Sequence, residues 1–371
     1  MNEKKYQYKI VIKGAYGESN FGDDALMLVL FDYLKRIVDP EQIAFICKNA
    51  SYLSVLIPDA KILTIAEQKK LTSELFIYGG GTQFFSFQSK RTKVRQFISK
   101  IKFAIKRLEH KRKFKYTASL GVGVGPFYDK ATELSTKKHF KVMDYIAVRD
   151  NLSFKYMQDW NIIKVKQFTD ICYLLDNQKY IEDPRIEKIY NIGIIVRDWN
   201  NTENNLRYYD SISELFIQLK DIGYNPTLII FSKDSDHYWM NRINEFENIL
   251  IWEPRNNSMH EFIISLNNFD IFITARFHGA IFSALLNKPF ISIIVEDKLD
   301  IVAEEYSKAS KKWPYPFDVS QCVDFVQELN NNYTESNKYL LDVCLEHKNL
   351  AISMKNEFTA FLDAILEKKN L

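Results

Sequence analysis

Short apolar runs alternate with stretches of helical spacing from the first residues onward. Residues 8–15 (YKIVIKGA) read as a buried strand that runs into a glycine-bearing loop. Over 23–38, Leu26, Val29, Leu30, Tyr33, Leu34 and Ile37 recur at the spacing of one helix face. Asp23 stands at the N-cap of that helix, where a carboxylate accepts amide hydrogens of the first turn. The pattern predicts further strands over 42–47, 60–65, 75–78, 116–120 and 145–148, with glycine runs at 79–81 and 121–125 as loops. Strand, glycine loop and helix in repetition predict a parallel α/β sheet.

The apolar pattern lapses at 176–188, a stretch that contains Asp183-Pro184, and reads as a linker. A second series follows, with strands predicted at 192–196, 227–231, 249–252, 271–274 and 290–294 and a helix at 212–219. The tail from 337 to 368 reads as a long helix. The expected architecture is α/β, two Rossmann-like domains facing a cleft with mainly parallel sheets, a GT-B-like arrangement. The first domain spans 1–176 with a basic helical insertion near 90–115, and the second spans 189–335. A C-terminal helix, 336–371, is placed to pack across the domains. In such sheets ligands sit at the carboxyl ends of the strands.

A length of 371 residues suits two domains, and 46% apolar residues supply a sizeable core. The net charge of +3 is too small for a chain of this size to imply nucleic-acid binding. Cys47, Cys172, Cys322 and Cys344 lie far apart with no CxxC pair, so no disulfide or zinc framework is predicted. With no signal-like N-terminus and no eighteen-residue apolar run, the expected address is the cytoplasm.

Candidate chemistry collects after the strands. The first loop carries Asn20, Gly22 and Asp23, and later loops carry Gly80, Gly81 and Gly123. Glycines there let backbone approach a ligand, and a helix N-terminus beside them favours an anion. Taken singly, each reads as a tight strand-to-helix turn; three such loops on one sheet edge point toward a binding site. Arg149, Arg197 and Arg276 each follow a predicted strand, where a guanidinium suits a carboxylate or phosphate. For any one of them an internal ion pair is the competing reading. His278, two residues after Arg276 at a helix start, can carry a proton near neutral pH. The other five histidines (His110, His139, His237, His260 and His347) read as surface residues.

The segments GAYGESNFGDDALM, YGGGTQFF, SLGVGVGPF, AVRDNLSFKYM, FTDICYLL, GIIVRDW and ITARFHGAIFSALLNKPFISI resemble, in content and order, the polysaccharide pyruvyl transferase family. The likeness runs from about residue 10 to 300. It implies a GT-B-like fold and transfer of pyruvate from phosphoenolpyruvate to sugar hydroxyls of a surface polysaccharide or its precursor, usually as a cyclic ketal. It implies His278 as general acid or base, Arg149 as a ligand of the donor's anionic groups, and Lys298 as the counterpart of a family lysine. The tyrosine that often precedes that lysine is missing here, with Glu296 nearby. No metal and no cofactor beyond the donor substrate are expected. Rival readings are a GT-B glycosyltransferase using a nucleotide sugar and a non-catalytic glycan-binding relative.

Residues 90–115 hold twelve Lys/Arg and one acid, Glu109, with Val94, Phe97, Ile98, Ile101, Ala104, Ile105 and Leu108 along one helical face. Such a helix can lie on an anionic leaflet, which suits a lipid-linked glycan acceptor and an enzyme peripheral on the inner face of the membrane. An ordinary surface helix packed on its own domain explains the same pattern.

Overall fold

The computed structural model describes residues 6–86, 113–178, 180, 190–199 and 205–366. Most of the basic stretch over 90–115 and most of the linker lie outside them. The chain forms two compact units: residues 1–17, 23–174 and 347–371 in the first, and residues 18–22 and 175–346 in the second.

In the first unit, strands β1 (Tyr8–Lys13), β2 (Ile43–Cys47), β3 (Lys61–Thr64), β4 (Ser73–Gly79), β5 (Thr82–Phe84), β6 (Phe114–Val124), β7 (Tyr145–Val148) and β8 (Val165–Gln167) build a parallel sheet. Their order is β3-β2-β1-β4-β6-β7-β8, with β5 paired to β6. Strands such as β2 (IAFIC) and β7 (YIAV) are buried along their whole length. Unbroken apolar runs of this kind belong to parallel strands covered on both faces.

The glycine run at 121–125, expected as a loop, falls largely inside β6, which continues to Val124. Three backbone contacts hold it there: Gly80 N donates to Leu120 O, Gly123 N to Gly81 O and Gly125 N to Phe84 O. Gly121 adopts a positive φ of 61°, and the register with β7 shifts between Ser119 and Val122. A glycine at such an irregularity lets the strand go on where a side chain would strain the backbone.

The second unit has strands β9 (Asn191–Val196), β10 (Asn225–Ile230), β11 (Ile249–Ile251), β12 (Ile271–Thr274), β13 (Phe290–Ile293) and β14 (Ser310–Trp313). They lie in the order β11-β10-β9-β12-β13-β14, all parallel. The strand order reverses direction between β9 and β12, as in a dinucleotide-binding fold, and the crevice at the carboxyl ends of those two strands is where ligands bind in such sheets. The edge strand β14 (SKKW) carries two lysines and no apolar alternation, which hides it in the sequence and protects the edge.

The helix Phe277–Leu285 follows β12 after a short turn and is buried from Gly279 to Leu285. A Cβ on Gly279 would lie 2.1 Å from Thr274 Oγ1, so only glycine lets this helix seat against the end of β12. Residues 18–22, which the sequence reading assigns to the first domain, pack in the second unit. Phe21 is fully buried with ring centroids 4.9 Å from Phe231, 5.2 Å from Trp252, 4.7 Å from Phe262 and 4.6 Å from Phe282. Phe21 N also donates to Phe231 O at 2.9 Å. Burial of an aromatic ring of this size dominates the placement of a five-residue segment.

The long helix Tyr333–Leu366 supplies residues to both units, with the change at Glu346–His347. The four cysteines are free and buried. Among the described residues, no helix is long and apolar enough to cross a membrane.

Candidate active site

In the second unit, three cations follow adjacent strands: Arg197 after β9, Arg276 after β12 and Lys298 after β13. Arg276 Nη2 reaches both oxygens of Asp236 at 2.6 Å, and its Nε donates to Val196 O at 3.1 Å. Asp236 is 1% exposed, so this is a buried, two-pronged pair that fixes the guanidinium plane. Asp236 Oδ1 also accepts from Asp198 N at 2.9 Å. Burial first, and the Asp236 carboxylate second among the raising causes, push the Asp198 carboxyl above its ordinary range.

Arg197 and Lys298 meet at one atom. Arg197 Nη1 lies 2.5 Å, and Lys298 Nζ 2.9 Å, from Glu296 Oε1. Arg197 Nε is buried without a hydrogen-bond partner among the described residues. Burial opposes ionisation of Glu296, but Lys298 and Arg197 outweigh it and hold the carboxyl below its usual range.

His278 sits in the first turn of Phe277–Leu285, two residues beyond Arg276. Its ring is pressed against the backbone of Gly22: a Cβ there would lie 2.2 Å from Nδ1 and 2.5 Å from Cγ. Asn20 sets this approach, since its Oδ1 accepts from Gly22 N at 3.0 Å. Asn20 and Gly22 therefore serve the histidine's placement in this unit. Gly22→Ala is expected to push the imidazole out of position and lower turnover by about a hundredfold, the usual scale for a misplaced catalytic group. Steady-state kinetics alongside an unfolding curve would check it; unchanged kcat would mean that the ring position is unimportant.

In the first unit Arg149 is held in an internal network. Its Nη1 pairs with Asp170 Oδ2 at 2.8 Å, Nη2 donates to Thr82 Oγ1 at 2.9 Å, and Nε lies 3.4 Å from Asp150 Oδ2. The side chains of Arg149 and Asp170 are 3% and 2% exposed. All three nitrogens are thus spent inside the unit, and Arg149 ties β7 to β5 and to the segment after β8. Arg276 also lies in an internal pair, held within the second unit by Asp236 and Val196 O. Gly123 belongs to the same core, because a Cβ there would lie 2.9 Å from Thr82 Oγ1 and 3.1 Å from Arg149 Nε. Its bareness makes room for the guanidinium.

Gly80 and Gly81 adopt φ of 65° and 69°, the left-handed region that favours glycine, at the turn after β4. Asp23 is not an N-cap as expected: the helix starts earlier, at Phe21, and Asp23 lies in its first turn. A Cβ on Gly81 would approach Asp23 Oδ1 at 3.6 Å, so these two residues are neighbours.

Two histidines read as surface residues are otherwise placed. The His139 ring packs 5.1 Å from Tyr78 and 5.8 Å from Phe84. His347 stacks on Tyr173 at 4.7 Å and 18°, with Nδ1 2.8 Å from Thr169 Oγ1. Burial pushes its pKa down from 6.5 to about 4, against a weaker opposing pull from Asp170. Its unfolded form therefore binds a proton more readily, so stability is full above about pH 6.5 and falls as pH drops toward 4, by up to about 3 kcal/mol. Urea unfolding between pH 7 and 4.5 should show this loss, and His347→Gln should flatten the slope; an unchanged slope would contradict the assignment. His237 and His260 are exposed.

Asp170 and Asp236 emerge only from the structure, as do the ion pairs of Glu296. Asp170 lies within the FTDICYLL segment, its one available signal in the sequence. Nothing in the surroundings of Asp236 in the chain marks it.

A family model described as polysaccharide pyruvyl transferase matches residues 20–297. No curated protein matches the chain in sequence. Solved structures with a similar fold include an Anabaena protein crystallised in complex with UDP-glucose, at 9% identity and TM-score 0.59, covering 96% of this chain and 99% of that one. A putative UDP-N-acetylglucosamine 2-epimerase from Listeria monocytogenes is 11% identical with TM-score 0.59, covering 99% and 98%. A glycosyltransferase from Rickettsia africae is 13% identical with TM-score 0.52, covering 98% and 99%. At these identities the likeness establishes the GT-B-like α/β fold class and nothing about substrates.

Proposed function

Because this chain belongs to the polysaccharide pyruvyl transferase family, we propose that it transfers the pyruvyl group of phosphoenolpyruvate to a pair of hydroxyls on a glycan, closing a cyclic ketal. The observation that carries this reading is the gathering of Arg197, Arg276 and Lys298 where the second sheet reverses its strand order, with His278 on the helix that follows. A donor bearing a carboxylate and a phosphate needs several cations and a proton carrier at one sheet edge.

In the mechanism we propose, Arg197 and Lys298 bind the donor's anionic groups, and Asp236 keeps Arg276 oriented toward them. His278, as imidazolium, delivers a proton to C3, and positive charge develops at C2. A sugar hydroxyl bonds to C2, its proton leaves with phosphate as the C2–O bond to phosphorus breaks, and a second hydroxyl closes the ring. The second hydroxyl's proton returns to His278. Cations fixed before the reaction stabilise the developing charge without reorganising, which is the largest contribution to many such rates. The steps are redox-neutral and draw on no cofactor.

A lipid-linked acceptor and a peripheral, cytoplasmic enzyme are supported by the basic sequence over 90–115. The test is to supply free and lipid-linked glycans with either phosphoenolpyruvate or UDP-glucose and to follow the leaving group. Inorganic phosphate released only with phosphoenolpyruvate supports the proposal. UDP released instead would favour a nucleotide-sugar transferase, and no release with any acceptor would favour a binding protein.

A further inference from the structure

Glu296 occupies the N-cap position of the helix Asp297–Glu305, with extended backbone (φ −158°, ψ 152°), yet its side chain makes no capping hydrogen bond. An acidic side chain at that position ordinarily turns onto the first amides of its helix. Here it pairs instead with Arg197, just after β9, and with Lys298 in the first turn of its own helix, and places one oxygen between the two cations. It is 31% exposed, so the pair it bridges is open to water. Arg197 remains under-used in this arrangement, with Nε buried and unpaired among the described residues.

From this geometry we propose that Glu296 is a built-in competitor for the donor's anionic groups: its carboxylate holds the Arg197–Lys298 pair until donor binds, and repels phosphate afterwards. The inference rests on the donor site of the proposed function, and it adds a control on affinity. A donor with two anionic groups offers more oxygens and more charge than one carboxylate, so it displaces Glu296 or shares the cations with it. Inorganic phosphate, held by fewer contacts, is opposed by the Glu296 charge. Because the neighbouring cations keep this carboxyl ionised, the competition persists across the neutral range. The site thereby favours the doubly anionic substrate over the singly anchored product.

Calorimetric titration of the full chain with inorganic phosphate tests this directly. Glu296→Gln keeps the shape and removes the charge, and phosphate should bind about tenfold more tightly, the change expected for about 1.4 kcal/mol. Lys298→Met should weaken it. With phosphoenolpyruvate and acceptor, Glu296→Gln should lower the donor KM and strengthen inhibition by phosphate. Equal or weaker phosphate binding by Glu296→Gln, absence of binding in both proteins, or indifference to Lys298→Met would each overturn the inference. If the wild type turns over phosphoenolpyruvate but Glu296→Gln leaves phosphate affinity unchanged, the inference fails and the proposed function stands. Tighter phosphate binding by the variant with no turnover in either protein would leave the competitor in place and remove the pyruvyl donor.

Discussion

His278→Ala is expected to lower phosphate release from phosphoenolpyruvate by about a thousandfold, within the range for loss of a general acid–base group, while the unfolding transition stays near that of the wild type. The two halves of this expectation come from different observations. The ring lies in the first turn of Phe277–Leu285, and the buried run of that helix begins only at Gly279. Its ring lies against the bare backbone of Gly22, with the Phe277 ring 5.5 Å away between centroids. Removing the imidazole therefore takes away a proton carrier without emptying a core. The donor KM should change little, because Arg197 and Lys298 remain. A variant that lost donor affinity and kept kcat would show a binding role instead, and full activity would remove His278 from the chemistry.

Arg149→Ala is expected to act on stability first. Cutting the pair leaves Asp170, 2% exposed, as an uncompensated buried charge, and Thr82 and Asp150 lose a donor. Breaking a buried pair from one side costs about 3–5 kcal/mol, a large share of the 5–15 kcal/mol that holds an ordinary domain together. Chemical denaturation should show the midpoint falling, with any loss of activity following the loss of folded protein. Activity abolished at unchanged stability would restore the donor-binding reading that the family resemblance implies. Arg149→Lys should rescue only in part, since one ammonium cannot reproduce three guanidinium contacts.

The contrast between these two residues shows what was legible in the sequence. Apolar runs located most strands of both sheets to within a few residues, because buried parallel strands are continuous in sequence and end at turns; the short strands β5, β8 and β14 carry no such run. The pairing of Arg276 and His278 around one turn was legible for the same reason: strand, turn and helix are local. Arg149 looked identical to Arg276 in that reading, each a cation after a strand. Its fate was decided by Asp170 and Thr82, distant partners that no periodicity reports. The glycines at 121–125 were misread because glycine marks loops and strand irregularities alike, and only the pairing partner distinguishes them.

Residues 18–22 were misassigned by the same logic. A segment directly after β1 belongs to the first sheet by every local rule. Four aromatic rings contributed by residues more than two hundred positions away capture Phe21 instead. That capture is also what brings Gly22 against His278. Glu296 was seen in sequence only as a neighbour of Lys298, and its pairing with Arg197 spans 99 positions.

Proton nuclear magnetic resonance of the product formed in D2O from phosphoenolpyruvate and acceptor glycan addresses the central claim most directly. Expected are a ketal methyl group carrying one solvent deuterium, one phosphate released per ketal, and loss of both signals in His278→Ala. Phosphoenolpyruvate recovered unchanged while a nucleotide sugar is consumed, or a ketal formed equally well by His278→Ala, would contradict it.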